Sequence, residues 1–281
     1  MASKESPVTI PMLRQMKREG RKIVGVVAYD YPTAQIADRA GVDLLSVGDS
    51  VGANLWGQPT ETEVTIEELL IACKAVRRGV KRALVSCDVP QGPVSAGIEA
   101  AVSAAVRLSK EGGADMVKVL GAPDLVRAIV RAGVPVFAEF HGEQGSAEQL
   151  VEEAKRLEEA GAALIDFRHS GPVAGAAVVK AVAVPVIGGL GGGPWLDGRV
   201  RLAHTAIGYG AKWLDSKTET YVNTAKLSLQ AFTALADDVR SGRQINGCME
   251  RIYKIYRIKS KQESKRIHQT KLRMQDRQFR G

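Results

Sequence analysis

A short unit recurs along the chain up to about residue 215: a turn of small residues, an apolar β-branched run and an amphipathic helical pattern. This repetition predicts alternating strands and helices. A pair of small residues precedes four of the runs, where we expect a helix to end on Gly before a strand. These pairs stand at 40–41, 112–113, 132–133 and 160–161. The predicted helices include residues 66–78, 97–110, 125–132 and 147–160. The predicted strands are residues 23–28, 44–47, 83–87, 116–119, 134–137, 163–167, 184–188 and 211–214.

Most of these strands are continuous apolar runs, a pattern typical of parallel strands buried on both faces. Eight strand-then-helix units favour a (β/α)8 TIM barrel over residues 1–245. The alternative is an open doubly wound sheet. No glycine-rich nucleotide-binding motif follows the first strand, where the chain reads Tyr29-Asp30-Tyr31-Pro32. The barrel is therefore preferred.

Charge is distributed unevenly along the chain. Residues 246–281 carry 11 Lys or Arg against 3 Asp or Glu, which equals the whole net charge of +8. We interpret them as a basic C-terminal helical extension in which Ile252, Ile255 and Tyr256 share a face. Packing on the barrel or on a neighbouring subunit is favoured over binding to RNA or another acidic surface. We therefore expect no nucleic-acid partner.

The sequence gives no sign of a membrane or secretory protein. No apolar run reaches the roughly 18–20 residues that a membrane span needs, and the first residues lack the basic and apolar segments of a signal peptide. Cys73, Cys87 and Cys248 are widely spaced, and the first two lie in apolar runs as core thiols do. We expect a cytoplasmic protein.

Polar residues follow or end almost every predicted strand, and in a parallel barrel these positions meet at one rim. Each Asp alone is equally well explained as a turn or helix-cap residue. Asp49 and Asp88 together predict a Mg²⁺ site, because Mg²⁺ takes one or two carboxylates and completes its shell with water and substrate oxygens. A 2-oxo acid offers two such oxygens, and Lys118 can pair with its carboxylate. The rim residues are Tyr29, Asp30, Asp49, Ser50, Asp88, Lys118, Glu139, His141, Asp166, Arg168, His169 and residues 188–193.

Several stretches resemble the ketopantoate hydroxymethyltransferase family, from about residue 9 to about residue 242. The most specific lie in the first third of the chain. The full set of resembling stretches is Val27-Ala28-Tyr29-Asp30-Tyr31-Pro32-Thr33-Ala34, Ala37-Asp38-Arg39-Ala40-Gly41-Val42-Asp43, Val47-Gly48-Asp49-Ser50, Lys74-Ala75-Val76-Arg77-Arg78-Gly79, Asp88-Val89-Pro90, Gly113-Ala114-Asp115-Met116-Val117-Lys118 and Gly193-Pro194-Trp195-Leu196-Asp197-Gly198.

The resemblance implies a (β/α)8 barrel of the phosphoenolpyruvate mutase/isocitrate lyase superfamily that assembles into a homo-oligomer. It also implies Mg²⁺-dependent transfer of a hydroxymethyl group from 5,10-methylene-tetrahydrofolate to 3-methyl-2-oxobutanoate, giving 2-dehydropantoate. Position by position, Asp49 and Asp88 match the family's metal ligands. Ser50 and Lys118 match the residues that hold the substrate carboxylate.

The chain departs from the family at four points. Leu120 stands where the family has a carboxylate, Glu139 where it has a histidine, and Arg168 where it has the glutamate that acts as general base. The fourth departure is a missing Gly-rich insertion after the fifth strand, since Gly145 passes directly into a predicted helix at Ser146. All four lie on the side of the second substrate.

A guanidinium group stays charged and cannot abstract a proton, so either another rim group serves as base or the reaction differs. Arg168 is instead predicted to bind a second carboxylate or a phosphate on the substrate. An ion pair with Glu139 is the alternative role for this arginine. The predicted catalytic residues are Lys118, Glu139, His141 and Arg168, with Glu143 and His169 as further candidate bases.

Three functions follow from these patterns. The first is Mg²⁺-dependent enolate chemistry on a 2-oxo acid, with hydroxymethyl transfer as the family implies. The second is a divergent lyase or aldolase that uses another, dianionic 2-oxo acid and no folate. The third is a non-catalytic barrel that binds nucleic acid or a partner through its tail, which the retained Asp49, Ser50, Asp88 and Lys118 disfavour. Phosphate binding by residues 188–193 is an alternative to a purely structural loop.

Overall fold

Eight parallel strands close into a barrel in chain order, and β8 is hydrogen-bonded to β1. The structure is a computed structural model that describes residues 6–143 and 145–243. It confirms the predicted (β/α)8 barrel. The strands are β1 (Ile23–Val27), β2 (Leu44–Val47), β3 (Leu84–Asp88), β4 (Met116–Leu120), β5 (Val136–His141), β6 (Leu164–Arg168), β7 (Val186–Gly188) and β8 (Gly198–Leu202).

Local sequence signals set the ends of the helices. Thr65 and Glu68 form a reciprocal capping box at the start of α3. Gly133 and Gly161 follow helix ends with φ of 83° and 99°, a left-handed conformation that glycine adopts without strain. The helices are α1 (Ile10–Arg18), α2 (Tyr31–Arg39), α3 (Ile66–Gly79), α4 (Gln91–Ser95), α5 (Ile98–Lys110), α6 (Pro123–Arg131), α7 (Ala147–Glu159), α8 (Pro172–Ala181), α9 (Ala203–Ile207) and α10 (Thr224–Arg240).

The hydrophobic core has two layers. The outer layer lies between the strands and the surrounding helices, and it includes the predicted core thiols Cys73 and Cys87. The inner layer takes one side chain from the beginning or middle of each strand, and Leu13 and Met16 of α1 pack against it. These side chains fill the amino-terminal end of the barrel. Open space is therefore left at the carboxyl-terminal end. The strand residues of the inner layer are Ile23, Leu44, Leu84, Met116, Phe137, Leu164, Ile187 and Val200.

The predicted eighth strand at residues 211–214 is wrong. Ala211–Trp213 is a single 3-10 turn, and the eighth strand is Gly198–Leu202. This strand alternates rather than forming a continuous apolar run, because Val200 faces the interior while Arg199 and Arg201 are exposed. In addition, β7 connects to β8 through residues 189–197 without an intervening helix. The pattern that identifies a strand buried on both faces is absent from β8.

The chain divides into two compact units, residues 1–224 and 225–281. The first unit holds the barrel. The described part of the second is the remainder of α10 and residues 241–243. The predicted extension at 246–281, with its face of Ile252, Ile255 and Tyr256, lies outside the described residues, and the predicted domain boundary at 245 stays a prediction.

Candidate active site

A cavity of about 250 Å³ opens at the carboxyl-terminal end of the barrel. Its position follows from the core, which closes the opposite end. Five residues predicted from the sequence to bind metal or substrate lie on its wall. They are Asp49, Ser50, Asp88, Lys118 and Arg168.

Strand register brings the charged residues together. Asp88 at the end of β3 lies opposite Lys118 of β4. Glu139 of β5 lies opposite Asp166 of β6. Because neighbouring strands are only about 4.8 Å apart, side chains at matched positions with the same orientation come within reach of each other.

Lys118, Glu139, Asp166 and Arg168 form an ion cluster, and all of them except Glu139 are on the cavity wall. The Lys118 ammonium contacts a carboxylate oxygen of Glu139 and lies 2.9 Å from Oδ2 of Asp166. Nη2 of Arg168 is 2.8 Å from Oε2 of Glu139, and its Nε is 3.3 Å from Oδ2 of Asp166. The backbone N–H of Gly189 donates to Asp166 at 2.8 Å. The alternative role predicted for Arg168, pairing with Glu139, is thus present.

The charges in this cluster stabilise one another despite burial. Burial penalises the Lys118 ammonium, yet the surrounding carboxylates, with Asp88 and Asp166 foremost, raise its pKa above the ordinary range. Burial likewise opposes the Asp166 charge, but Lys118 and Arg168 hold the pKa of that carboxyl below its ordinary value. The carboxylates of Glu139 and Asp166 likewise raise the pKa of Arg168 against the effect of burial. Lys118, Asp166 and Arg168 are therefore charged at neutral pH.

The negative charges of Asp88 and Asp49 are less well balanced by neighbouring cations. Burial, with the nearby Asp49 charge as a further cause, raises the pKa of Asp88 to about 7. Burial also raises the pKa of Asp49. Oδ1 of Asp88 is buried and has no hydrogen-bond partner. A buried carboxylate oxygen without a donor is costly unless a cation or proton meets it.

The space around Asp88 is kept open by Gly48. A Cβ at this position would lie 2.9 Å from Oγ of Ser50 and 3.5 Å from Oδ2 of Asp88. Among the described residues, no group of three or more His, Cys, Asp or Glu is placed to hold a metal by itself. Two carboxylates beside open space suit Mg²⁺, which takes its remaining ligands from water and substrate. Asp49 and Asp88 therefore fit this ion.

Ser50 lies half-buried on the cavity wall and is held from behind by a buried tyrosine. Its hydroxyl is 2.7 Å from the hydroxyl of Tyr29, with either oxygen able to donate. Burial raises the pKa of Tyr29, so this phenol stays protonated at neutral pH. The tyrosine fixes the side chain of Ser50 toward the cavity.

The remaining predicted bases are not on the cavity wall. His141 is exposed, and its Nε2 is 2.9 Å from Oε1 of Glu139, whose other oxygen already meets the two cations. His169 has a left-handed backbone with φ of 50°, and its Nε2 lies 3.5 Å from Glu143. Leu120, the departure in β4, is 63% exposed. His141 therefore contacts the ion cluster, and none of these residues is on the cavity wall.

Sequence reasoning missed Glu61. This residue begins the 3-10 turn Glu61–Glu63 in the long connection between β2 and α3, yet it lies on the cavity wall with Asp49 and Arg168. Partial burial, with the Asp49 charge as the next cause, raises the pKa of Glu61. The prediction considered only residues that directly follow a strand, and Glu61 lies well beyond the end of β2.

The fold and the site define a (β/α)8-barrel enzyme with a small, charged cavity suited to an anionic substrate. The sequence model described as ketopantoate hydroxymethyltransferase matches residues 7–244, and the chain belongs to that family. It is 35% identical over 260 residues to a 3-methyl-2-oxobutanoate hydroxymethyltransferase of Moorella thermoacetica, an alignment that covers 86% of this chain and 96% of that protein. It is 34% identical over 244 residues to the Geobacillus kaustophilus protein of the same name, covering 80% and 87% of the two chains.

Solved structures show the same fold at low sequence identity. One is a phosphonopyruvate hydrolase in complex with oxalate and Mg²⁺, with a TM-score of 0.56 and 16% identity. That alignment covers 91% of this chain and 97% of the other. Within the residues that the structure describes, no helix is long and apolar enough to cross a membrane.

Proposed function

We propose that this protein forms the enolate of a 2-oxo acid bound in the cavity and joins its C3 carbon to a one-carbon unit. The observation that carries the proposal is the buried, unpartnered Oδ1 of Asp88 beside Asp49, with the Lys118 ammonium on the same wall. A carboxylate pair and a cation are what a chelating 2-oxo acid requires. The family relationship supports 3-methyl-2-oxobutanoate as the acid and 5,10-methylene-tetrahydrofolate as the donor.

Asp49 and Asp88 would hold Mg²⁺ in this proposal. When bound, the ion acts as a Lewis acid that favours the enolate form of the acid. The phosphonopyruvate hydrolase of the same fold, solved with oxalate and Mg²⁺, offers a parallel for a small dianion beside this metal. The assignment to this chain depends on its own two aspartates and on the open space beside Gly48.

Lys118 and Ser50 would hold the carboxylate of the acid. The ammonium of Lys118 has three N–H donors, and its contacts with Glu139 and Asp166 leave one of them for a ligand. The charge of Lys118 is kept by the cluster, so this donor remains cationic when the substrate binds. The Ser50 hydroxyl, oriented by Tyr29, supplies a second contact.

A second candidate is a 2-oxo acid that carries another anionic group, and Arg168 favours it. The guanidinium lies on the cavity wall, and its contacts with Glu139 and Asp166 leave further N–H donors for a ligand. An enzyme that prefers such a substrate would be a lyase or aldolase of the same chemistry. Family membership supports the first candidate, as it does the assembly into homo-oligomers and the cytoplasmic location.

Exchange of the C3 hydrogen in D₂O tests enolate formation without any knowledge of the second substrate. Purified protein, Mg²⁺ and 3-methyl-2-oxobutanoate are followed by proton NMR, with EDTA in a parallel sample. We expect loss of the C3–H signal that depends on both protein and Mg²⁺. Absence of exchange with this acid and with a dicarboxylic 2-oxo acid would overturn the proposal. Adding 5,10-methylene-tetrahydrofolate then tests for 2-dehydropantoate.

A further inference from the structure

Glu61 lies on the cavity wall, and its carboxylate has no role in the site described so far. The wall also carries Asp49, Asp88 and Asp166. Asp166 is paired with two cations, and the other two are the proposed metal ligands. Among the residues that the structure describes, none forms an ion pair or a side-chain hydrogen bond with Glu61. Its carboxylate is therefore free to meet a substrate.

The connection that carries Glu61 is anchored at several points. Gly57 ends the π-helical turn Gly52–Trp56 in a left-handed conformation, with φ of 72°. Nε2 of Gln58 donates to Glu68 at 3.0 Å, which joins the middle of the connection to α3. Thr65 then starts α3 with a capping box. These contacts hold the turn at Glu61–Glu63 beside the mouth of the cavity.

The charges around Glu61 are those of the site itself. Glu61 lines the same cavity as Asp49, Lys118 and Arg168, which places its carboxylate beside the space for the substrate. Partial burial, with the Asp49 charge as the next cause, raises the pKa of this carboxyl. By contrast the carboxylate of Glu139, a residue within β5, contacts the cations Lys118 and Arg168. A base that is locked between cations cannot readily accept a proton, whereas an uncommitted carboxylate can.

We propose that Glu61 accepts the C3 proton of the bound 2-oxo acid, the role that Arg168 cannot perform. The proposal rests on the function proposed above. The C3–H bond breaks, its proton moves to a carboxylate oxygen of Glu61, and its electron pair forms the C2–C3 double bond as the keto oxygen takes the charge. In the exchange reaction the enolate carbon then takes a hydrogen back from the Glu61 carboxylic acid, which exchanges with solvent between the two transfers. In this proposal the catalytic base lies in the connection after β2, whereas the family's base lies at the end of the sixth strand.

Three variants test this assignment. Glu61→Gln removes the basic group with almost no change in size, and Glu61→Asp keeps a carboxylate but shortens its reach. Glu63→Gln is the matched control, since Glu63 belongs to the same 3-10 turn but is not on the cavity wall. Each protein is assayed for C3–H exchange in D₂O and, independently, for the Kd of 3-methyl-2-oxobutanoate by isothermal titration calorimetry.

We expect Glu61→Gln to slow exchange by about 10²–10⁴-fold, the usual contribution of a general base. Its Kd should stay within about threefold of native, since the proton acceptor is not the carboxylate anchor. Glu61→Asp should retain part of the exchange, and Glu63→Gln should match the native protein. Native exchange rates in Glu61→Gln, or a loss of exchange explained wholly by weaker binding, would overturn the inference. Failure of the native protein to exchange both 3-methyl-2-oxobutanoate and a dicarboxylic 2-oxo acid would instead overturn the proposed function.

Discussion

Lys118→Met removes the central charge of the ion cluster and should destabilise the protein strongly. Lys118 is 6% exposed and contacts both Glu139 and Asp166. Met keeps a similar length and an apolar stem, so the principal loss is electrostatic. Breaking a buried ion pair by removing one partner costs about 3–5 kcal/mol. At roughly 2–4 °C per kcal/mol for a chain of this size, Tm should fall by about 6–20 °C.

The loss should depend on pH. The lowered pKa of Asp166 contributes stability that is present above the unfolded-state pKa of about 3.9 and is lost as pH falls through the native value. Without Lys118, the native pKa of Asp166 rises, and this contribution shrinks at neutral pH. The Tm difference between the native and variant proteins should therefore be largest near about pH 7 and smaller near about pH 4.

Lys155→Met is the matched control, measured by the same calorimetric scans. Lys155 pairs with Glu152 at 2.7 Å on the exposed face of α7, where an ion pair contributes little. Its Tm should barely change at either pH. Equal Tm losses in the two variants, or a Lys118→Met loss that does not vary with pH, would refute the reasoning.

Three further changes probe the other parts of the site and fold. Asp88→Asn should abolish the rise in Tm that Mg²⁺ and a 2-oxo acid give the native protein, and an undiminished rise would contradict the metal assignment. If Arg168 binds a second anion, the native protein should bind a dicarboxylic 2-oxo acid about tenfold to hundredfold more tightly than 3-methyl-2-oxobutanoate. Arg168→Met should remove this difference in Kd, measured by titration calorimetry on the folded variant. Asp38→Ala removes the acceptor for the backbone N–H groups of residues 81–83. It should lower the free energy of unfolding by roughly 2–5 kcal/mol, and a urea midpoint equal to that of the native protein would contradict this role.

Strand periodicity predicted most of the barrel because seven of its strands carry apolar runs or strand-end signals. The exception was β8, which the sequence placed at residues 211–214. An alternating strand with Arg199 and Arg201 on its exposed side lacks the signal of two-sided burial. The rule that polar residues end barrel strands located Asp88 and Arg168, but it carries no information about a residue deep within a connection. Glu61 therefore required the three-dimensional structure.

The sequence also did not determine which charged side chains pair with each other. The pairing of Glu139 with Arg168 was one of two interpretations, since neighbouring strand ends allow contact without requiring it. Only the register of β5 and β6, together with the position of Lys118, decides which oxygen meets which cation. His141 contacts Glu139 because residues two apart on one strand share a face, and His141 is not on the cavity wall.

The ion pair between Glu139 and Arg168 also limits the mutational routes open to this protein. The resemblance places a histidine and a glutamate at these two positions in the family. Replacing only one member removes a contact from the other, half-buried residue, which keeps its other ion-pair partner, Lys118 for Glu139 and Asp166 for Arg168. A single-step path between the two arrangements passes through a weakened protein. The two positions are therefore expected to vary together among descendants of this chain, as one inherited unit.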